Sequence, residues 1–180
     1  MYQSHFKFST PPFRNITRKS GDFLVPYHQD VFNLLKEKSQ QAGITGLFYH
    51  DSELLGQFSE ALKRSNAVIP VNAFPKLSAN SLLYKLNPSV KESKNKLQAV
   101  DAVLRQWRDA RATQKVLVIT HAEAMKHNCY DLLAMLLTRA QELDVRLSVI
   151  LMGSEDRETM LTDSALQAFV LTRHTLRNLT

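Results

Sequence analysis

Hydrophobic residues along the chain form five short runs, each separated from the next by a longer stretch with helical spacing. The runs predict β-strands at 44–49, 67–71, 115–120, 145–152 and 166–171. The third and fourth runs are apolar almost throughout, which is typical of strands buried on both faces of a parallel sheet. Pro70 in the second run cannot donate a hydrogen bond to a neighbouring strand, so we expect that strand at an edge of the sheet.

The stretches between the runs place apolar residues three or four positions apart, which predicts helices. The expected helices cover 28–41, 51–64, 75–86, 91–111, 124–143 and 155–161. Gly43 is expected to end the first helix and Asp51 or Ser52 to cap the second, while Gly153 and Ser154 should end the fourth strand. Strands that alternate with helices predict an α/β domain with a central parallel sheet covered on both faces.

Length and composition favour an ordinary globular protein. The 180 residues suit a single domain, 1–180, in which residues 1–27 form an irregular N-terminal segment that packs on the rest. Cys129 is the only cysteine and cannot form an internal disulfide, and the N-terminus lacks the apolar core of a signal peptide. Because the apolar runs are also too short to cross a bilayer, we expect a cytoplasmic protein without direct membrane insertion.

The formal net charge of +6 is concentrated in one segment. Residues 76–115 carry nine Lys or Arg against three Asp or Glu, whereas residues 1–66 carry eight against six and residues from 121 onward six against eight. Acidic proteins and nucleic acids respond to local potential, so this segment is where we look for a docking surface.

The expected helix 91–111 separates its apolar residues from its basic ones. The apolar residues are spaced to share one buried face: Leu97, Val100, Leu104 and Trp107. The basic residues gather on another face: Lys94, Lys96, Arg105, Arg108 and Arg111. Such a face is commonly only solvated, but it also suits an acidic protein, a nucleic-acid backbone or a membrane-bound neighbour. Four of these residues are our candidate partner-binding set: Lys94, Arg105, Arg108 and Arg111.

Two sets of short motifs resemble those of a known family. The first set lies near the N-terminus: Met1-Tyr2, His5-Phe6, Pro12-Phe13, Phe23-Leu24 and His28. The second set comprises the apolar segments 116–119 and 147–153. Together they resemble the general secretion pathway protein A (ExeA/GspA-type) family of AAA-type ATPases, which includes MshM-like pilus-assembly relatives.

The resemblance implies a P-loop NTPase-like (AAA-type) three-layer domain with a central parallel sheet. In that layout the strand 115–120 lies between the strands 67–71 and 145–152. The family continues into a small helical lid, which we expect to be absent because the sequence ends at Thr180. Some other α/β domain is the alternative, since one strand–helix layout hosts many functions.

The turn that would bind ATP phosphates departs from the family pattern. A P-loop needs glycines for close backbone approach, a lysine for the phosphates and a hydroxyl for Mg²⁺. The corresponding turn, 49–56, has Leu55 near the lysine position and Gly56 near the hydroxyl position. Asp51 and Glu53 add negative charge beside the phosphates, which disfavours a triphosphate. The degenerate P-loop residues are His50, Asp51, Ser52, Leu55 and Gly56.

The strand end that should hold Mg²⁺ is degenerate as well. A carboxylate is expected directly after the strand 115–120, but Thr120 and His121 stand there. Two independent losses predict a pseudo-ATPase with no catalytic residues and no bound cofactor or metal. The spacing of His121, Glu123 and His127 also differs from that of a helical zinc site, and Cys129 is interpreted as a buried thiol.

Three functions follow from these observations. The first is a protein-interaction or assembly factor that has kept the ATPase fold, for example in a secretion or pilus system. The alternative is a basic pseudo-ATPase that binds nucleic acid, as in transposition or replication accessory proteins. The third is an NTPase that remains active through an unusual site. Salt dependence of binding would separate the first two, because phosphate contacts weaken steeply as salt rises.

Overall fold

The computed structural model describes residues 26–49, 62, 68–90, 95–110, 114–155, 161–162 and 164–176. In chain order the main elements are α1 (Pro26–Lys38), β1 (Gly43–Tyr49), β2 (Val68–Asn72), α2 (Ala79–Leu86), α3 (Lys96–Asp109), β3 (Gln114–Thr120), α4 (His127–Glu142), β4 (Arg146–Ser154) and β5 (Val170–Leu176). Two short 3-10 turns, Ala122–Ala124 and Gln167–Phe169, precede α4 and β5. The N-terminal motifs of the family resemblance lie outside the described residues, apart from the backbone of His28 in α1.

The five strands form one sheet in the order β2-β3-β4-β1-β5, and every neighbouring pair is parallel. β3 therefore lies between β2 and β4, which confirms the order expected from the family layout. β2 occupies an edge, as Pro70 predicted, because a proline cannot donate to a strand on its second side.

Each face of the sheet buries its own apolar cluster. On one face, Val31 and Leu35 of α1 pack with Leu47, Val118 and Ile150 of three adjacent strands. The other face is covered by α2, α3 and α4, whose buried leucines meet the strands there: Leu82, Leu104 and Leu133 with Leu117 and Val149. Helices on both faces of a parallel sheet make a three-layer α/β domain, so the predicted fold class is confirmed.

Helices α3 and α4 are joined by a bidentate ion pair. The guanidinium of Arg139 donates from Nε to Asp101 Oδ1 and from Nη2 to Asp101 Oδ2, each at 2.9 Å. The hydrogen bonds from Arg139 lower the pKa of the Asp101 carboxyl below its usual value. Two parallel hydrogen bonds fix the angle as well as the distance between the helices.

Two helices begin later than the sequence pattern indicates, because polar residues cap them inside the predicted stretches. Ser78 accepts from the backbone N–H of Ser81, so α2 begins at Ala79 rather than at 75. Asn95 accepts from the N–H groups of Leu97 and Gln98, so α3 begins at Lys96. A side-chain oxygen at these positions satisfies backbone donors that the first helical turn leaves unpaired.

The last predicted strand, 166–171, is wrong in position. Leu166 is buried before a 3-10 turn, and β5 runs from Val170 to Leu176 instead. Gly153 and Ser154, expected to end the fourth strand, are its last two residues. The predicted helix 51–64 lies outside the described residues except for buried, helical Leu62, and most of the predicted helix 155–161 also lies outside them.

The buried face of α3 differs from the predicted one at its first turn. Val100, Leu104 and Trp107 are buried as expected, but 43% of Leu97 is exposed. Ala99 and Val103 complete the buried face in its place. The buried residues 99, 100, 103, 104 and 107 form a broad apolar face, and Leu97 lies at its margin in the first turn of the helix.

Candidate functional site

The carboxyl ends of β1, β3 and β4 meet at one edge of the sheet. Tyr49 ends β1 and pairs in register with Ser154, the last residue of β4. Thr120 ends β3 and pairs with Asn72 at the end of β2. Ligands of open parallel sheets bind outside the carboxyl ends of the strands, so we take this edge as the candidate site.

The chain turns sharply as it leaves β3. His121 has φ 56° and ψ 46°, a left-handed conformation that is uncommon for a residue other than glycine. The 3-10 turn Ala122–Ala124 follows at once. As a result the chain stays beside the edge of the sheet, and the side chain of Glu123 reaches the end of β4 instead of pointing into solvent.

Both carboxylate oxygens of Glu123 have partners in the fold. Oε1 lies 3.2 Å from Nδ1 of His121, and Oε2 accepts a hydrogen bond from the backbone N–H of Ser154 at 3.2 Å. Gly153 leaves room for this approach, because a Cβ at that position would lie tightly, 3.3 Å from Oε2 and 3.3 Å from the Cβ of Ala122. The carboxylate therefore links the turn after β3 to the end of β4.

Tyr49 faces the same carboxylate from the end of β1. Its side chain is buried, and burial is the larger cause that raises the pKa of its hydroxyl well above the ordinary value. The negative charge of Glu123 raises that pKa further. The charge of Glu123 is therefore felt at the end of β1 as well as at the ends of β3 and β4.

The arrangement does not fit a Mg²⁺ site built on the end of β3. Thr120 and His121 supply no carboxylate there, and the carboxylate that follows, Glu123, is engaged by His121 and Ser154. Sequence reasoning missed Glu123 at this edge, because the family pattern places the carboxylate directly after the strand. The degenerate P-loop residues 50–56 lie outside the described residues, so their interpretation stays a prediction.

The histidines and the cysteine after β3 do not come together. His127 begins α4 and packs edge-on against the ring of Tyr130, with ring centroids 5.6 Å apart. Cys129 is buried and its Sγ donates to the carbonyl oxygen of Leu77 at 3.2 Å. Burial raises the pKa of this thiol to about 11, which confirms a buried thiol. Within the described part of the chain, no group of three His, Cys, Asp or Glu could hold a metal ion.

The basic face of α3 is a separate surface. The side chains of Arg105 and Arg108 are exposed, whereas Lys94 and Arg111 lie outside the described residues. Asp101 lies one turn before Arg105 and interacts with its charge, and Asp109 Oδ1 lies 3.9 Å from Nε of Arg108. The fold itself therefore offsets part of the positive charge on this face.

No protein-family model and no curated protein sequence matches the chain. Solved structures do match it. The Drosophila ORC bound to GC-rich DNA and Cdc6 aligns with a TM-score of 0.56 and 15% identity, covering 89% of this chain and 62% of that one. Cdc6p from Pyrobaculum aerophilum aligns with a TM-score of 0.62 and 13% identity, covering 87% and 47%. The Aeropyrum pernix ORC1 protein in complex with DNA aligns with a TM-score of 0.60 and 12% identity, again covering 87% and 47%.

The fold is that of an AAA-type ATPase. At these identities the likeness concerns the fold, and the chain spans less than two thirds of each of these three structures. The narrower resemblance to general secretion pathway protein A has no counterpart among them and stays a prediction. None of the helices in the described residues has the length and apolar character that crossing a bilayer requires.

Proposed function

We propose that this chain is an AAA-like domain that does not hydrolyse ATP and acts as a protein-interaction or assembly factor. The resemblance to general secretion pathway protein A suggests a secretion or pilus system as its setting. The basic face of α3, with Arg105 and Arg108, is the proposed docking surface for a protein partner with acidic groups.

This proposal rests on the two contacts that the Glu123 carboxylate makes within the fold. An ATPase of this fold needs a carboxylate at the end of β3 that is available to Mg²⁺ and to the attacking water. Here the carboxylate nearest to that strand end holds His121 and the N–H of Ser154. To serve a metal it would have to give up both contacts, and the Ser154 N–H would lose its acceptor.

Calorimetric titration with Mg-ATP tests the loss of the nucleotide site. We expect no binding heat and no change in the melting temperature, because the residues expected to hold the phosphates and the metal are missing from the sequence. A ligand that did bind would add about 2.7 kcal/mol to the free energy of unfolding at about a hundredfold its Kd, so binding would be easy to detect. The titration should be repeated with Glu123→Gln, which neutralises the carboxylate. Micromolar affinity in the unaltered chain, or ATP hydrolysis that Glu123→Gln abolishes, would instead favour the active NTPase with an unusual site.

Nucleic acid is the second candidate partner. Two of the structural neighbours are described as bound to DNA: the Drosophila ORC and the Aeropyrum pernix ORC1 protein. The local excess of Lys and Arg in residues 76–115 is compatible with phosphate contacts. The slope of log affinity against log salt separates the two partner classes, because each phosphate contact releases counterions and steepens it.

A further inference from the structure

The segment that follows β2 continues along β3 and the turn after it. The N–H of Ala73 donates to the carbonyl of Thr120 at 3.0 Å, and the N–H of Leu77 donates to the carbonyl of Ala124 at 3.1 Å. The N–H of Lys126 donates back to the carbonyl of Leu77 at 2.8 Å. Residues 73–77 are thus held at both ends, at the carboxyl edge of the sheet.

Phe74 lies in this segment with a fixed backbone and an exposed ring. Its N–H donates to Oδ1 of Asn72 at 2.9 Å, yet 67% of the residue is exposed, more than any other large apolar residue among those described. An aromatic ring held out from a hydrogen-bonded backbone is preorganised for contact, because little conformational freedom remains to be lost on binding.

His121 brings a second ring to the same place. The centroids of the two rings are 6.0 Å apart and the rings are inclined by 58°. The imidazole is held from its other side by the 3.2 Å contact between Nδ1 and Glu123. The rings of Phe74, which follows β2, and His121, which follows β3, are therefore neighbours at the carboxyl end of the sheet.

Three exposed lysines lie on or next to the segment that carries Phe74. Lys76 lies two residues after Phe74 in the chain. Lys126 lies next to the same segment, because its backbone N–H donates to the carbonyl oxygen of Leu77. Lys85 of α2 reaches the same segment, where its Nζ lies 3.4 Å from the carbonyl oxygen of Asn72. The nearby carboxylate of Glu123 is occupied by His121 and Ser154. We name this surface the aromatic–lysine rim: Phe74, Lys76, Lys85, His121 and Lys126.

We infer that the aromatic–lysine rim binds single-stranded nucleic acid, with a base stacked on Phe74 and the backbone phosphates beside the lysines. Proteins that bind single strands combine aromatic rings for the bases with a positive surface for the phosphates. The centre of a protein–protein interface is depleted in lysine, so a protein partner fits the rim less well. Direct readout of a duplex requires an element that enters a groove, and the rim presents short connecting segments.

This inference goes beyond the proposed function, because it assigns a ligand to a surface other than the basic face of α3. Arg108 lies in the last turn of α3, shortly before β3 begins, whereas Lys126 follows the end of β3. A strand of seven residues spans roughly 23 Å. Charge changes at the two surfaces can therefore serve as controls for each other.

Fluorescence anisotropy with a labelled single strand of twenty thymidines tests the inference at low salt. Phe74→Ala should weaken binding about tenfold, since stacking on an aromatic ring contributes that order of affinity per base, and Phe74→Trp should restore it. Lys76→Gln with Lys126→Gln should lower the slope of log affinity against log salt by about 1.4, for two lost phosphate contacts. Leu171→Ala, an exposed apolar residue on the opposite edge strand, should bind like the unaltered chain.

Several outcomes would overturn the inference. The first is the absence of binding at low salt, and the second is equal affinity of Phe74→Ala and the unaltered chain. The third is a loss on Arg105→Gln with Arg108→Gln as large as the loss on Lys76→Gln with Lys126→Gln, which carries the same change of net charge. A polyglutamate peptide that displaces the strand at equal charge concentration would also overturn it and point to an acidic protein. The Mg-ATP titration is independent of these results, so a failure here leaves the proposed loss of nucleotide binding standing.

Discussion

The carboxylate of Glu123 accepts a hydrogen bond from the backbone N–H of Ser154 at 3.2 Å, across the gap between the turn after β3 and the end of β4. The Glu123 side chain bridges this gap, and its second oxygen holds the ring of His121. The same carboxylate thus joins the turn after β3 to the end of β4 and orients a residue of the aromatic–lysine rim.

The first prediction concerns the structural role of this carboxylate. Glu123→Ala removes the contact with His121 and the hydrogen bond from Ser154, so we expect the free energy of unfolding to fall by about 1 kcal/mol. Glu123→Gln keeps an oxygen acceptor and should cost less. Urea unfolding followed by circular dichroism measures both, with Glu37→Ala as a control for loss of an exposed helical carboxylate. Equal stability of Glu123→Ala and the unaltered chain would contradict the structural role.

The second prediction concerns stability at alkaline pH. Burial, and then the charge of Glu123, raise the pKa of Tyr49 above the value near 10 of an unfolded tyrosine. Above about pH 10 the unfolded chain therefore binds fewer protons at this position than the folded one, and the free energy of unfolding must fall as pH rises. Tyr49→Phe should flatten this fall, which urea midpoints between pH 8 and pH 11 would measure.

Cys129 titrates in the same direction and needs its own control. Burial raises the pKa of its thiol to about 11. The free energy of unfolding therefore also falls through Cys129 once pH exceeds the value near 8.5 of an unfolded cysteine. A Cys129→Ala chain, with and without Tyr49→Phe, isolates the contribution of the phenol. A pH profile that is the same in both chains would show that Tyr49 keeps an ordinary pKa.

The place of β3 between β2 and β4 was predictable from the family layout, and the apolar runs of β3 and β4 agreed with it because such runs are typical of strands buried on both faces. The apolar run at 116–119 favours an inner strand, and Pro70 places its own strand at an edge. The position of β5 was not predictable in the same way. Its residues alternate in burial and include Arg173 and His174, whereas the more apolar stretch before it forms a turn.

The role of Glu123 could not be read from the sequence. It depends on the left-handed conformation of His121, which only a small fraction of residues other than glycine adopts. The pattern of the AAA-type ATPase family places a carboxylate directly after the strand. It assigns no role to a carboxylate three residues later, where Glu123 stands. The approach of Glu123 to Gly153 is a contact between residues thirty apart in the chain, which local patterns do not encode.

The third prediction compares two leucines of α3. Leu104 is fully buried between the sheet and the neighbouring helices, whereas 43% of Leu97 is exposed. Leu104→Ala should therefore lower the free energy of unfolding by about 2 to 5 kcal/mol, which includes the cost of the cavity it leaves. Leu97→Ala should cost well under that, although the spacing of the sequence places both residues on one face. Urea midpoints that shift equally for the two variants would contradict the observed rotation of the buried face.

The last prediction concerns the basic face of α3 as a docking surface. The apolar core explains Leu104 and Trp107, but it does not require Arg105 or Arg108, whose side chains are exposed. Asp101 and Asp109 offset them only in part. Arg105→Glu with Arg108→Glu should cost only a few tenths of a kcal/mol of stability, because the new carboxylate at position 105 lies one turn from Asp101 on an exposed helix face. Binding of a protein partner should weaken far more, mainly through a slower association rate at low salt.

Affinity capture from native lysate, followed by association rates for the recovered partner, compares three chains: the unaltered one, the α3 double variant, and Lys76→Glu with Lys126→Glu. The two double variants carry the same change of net charge, so a general effect of charge would weaken both equally. We expect only the α3 variant to lose the protein partner, because its substitutions lie at the other end of β3 from the aromatic–lysine rim. Recovery of the same partner in equal amount by all three chains would mean that α3 exposes its arginines only to solvent.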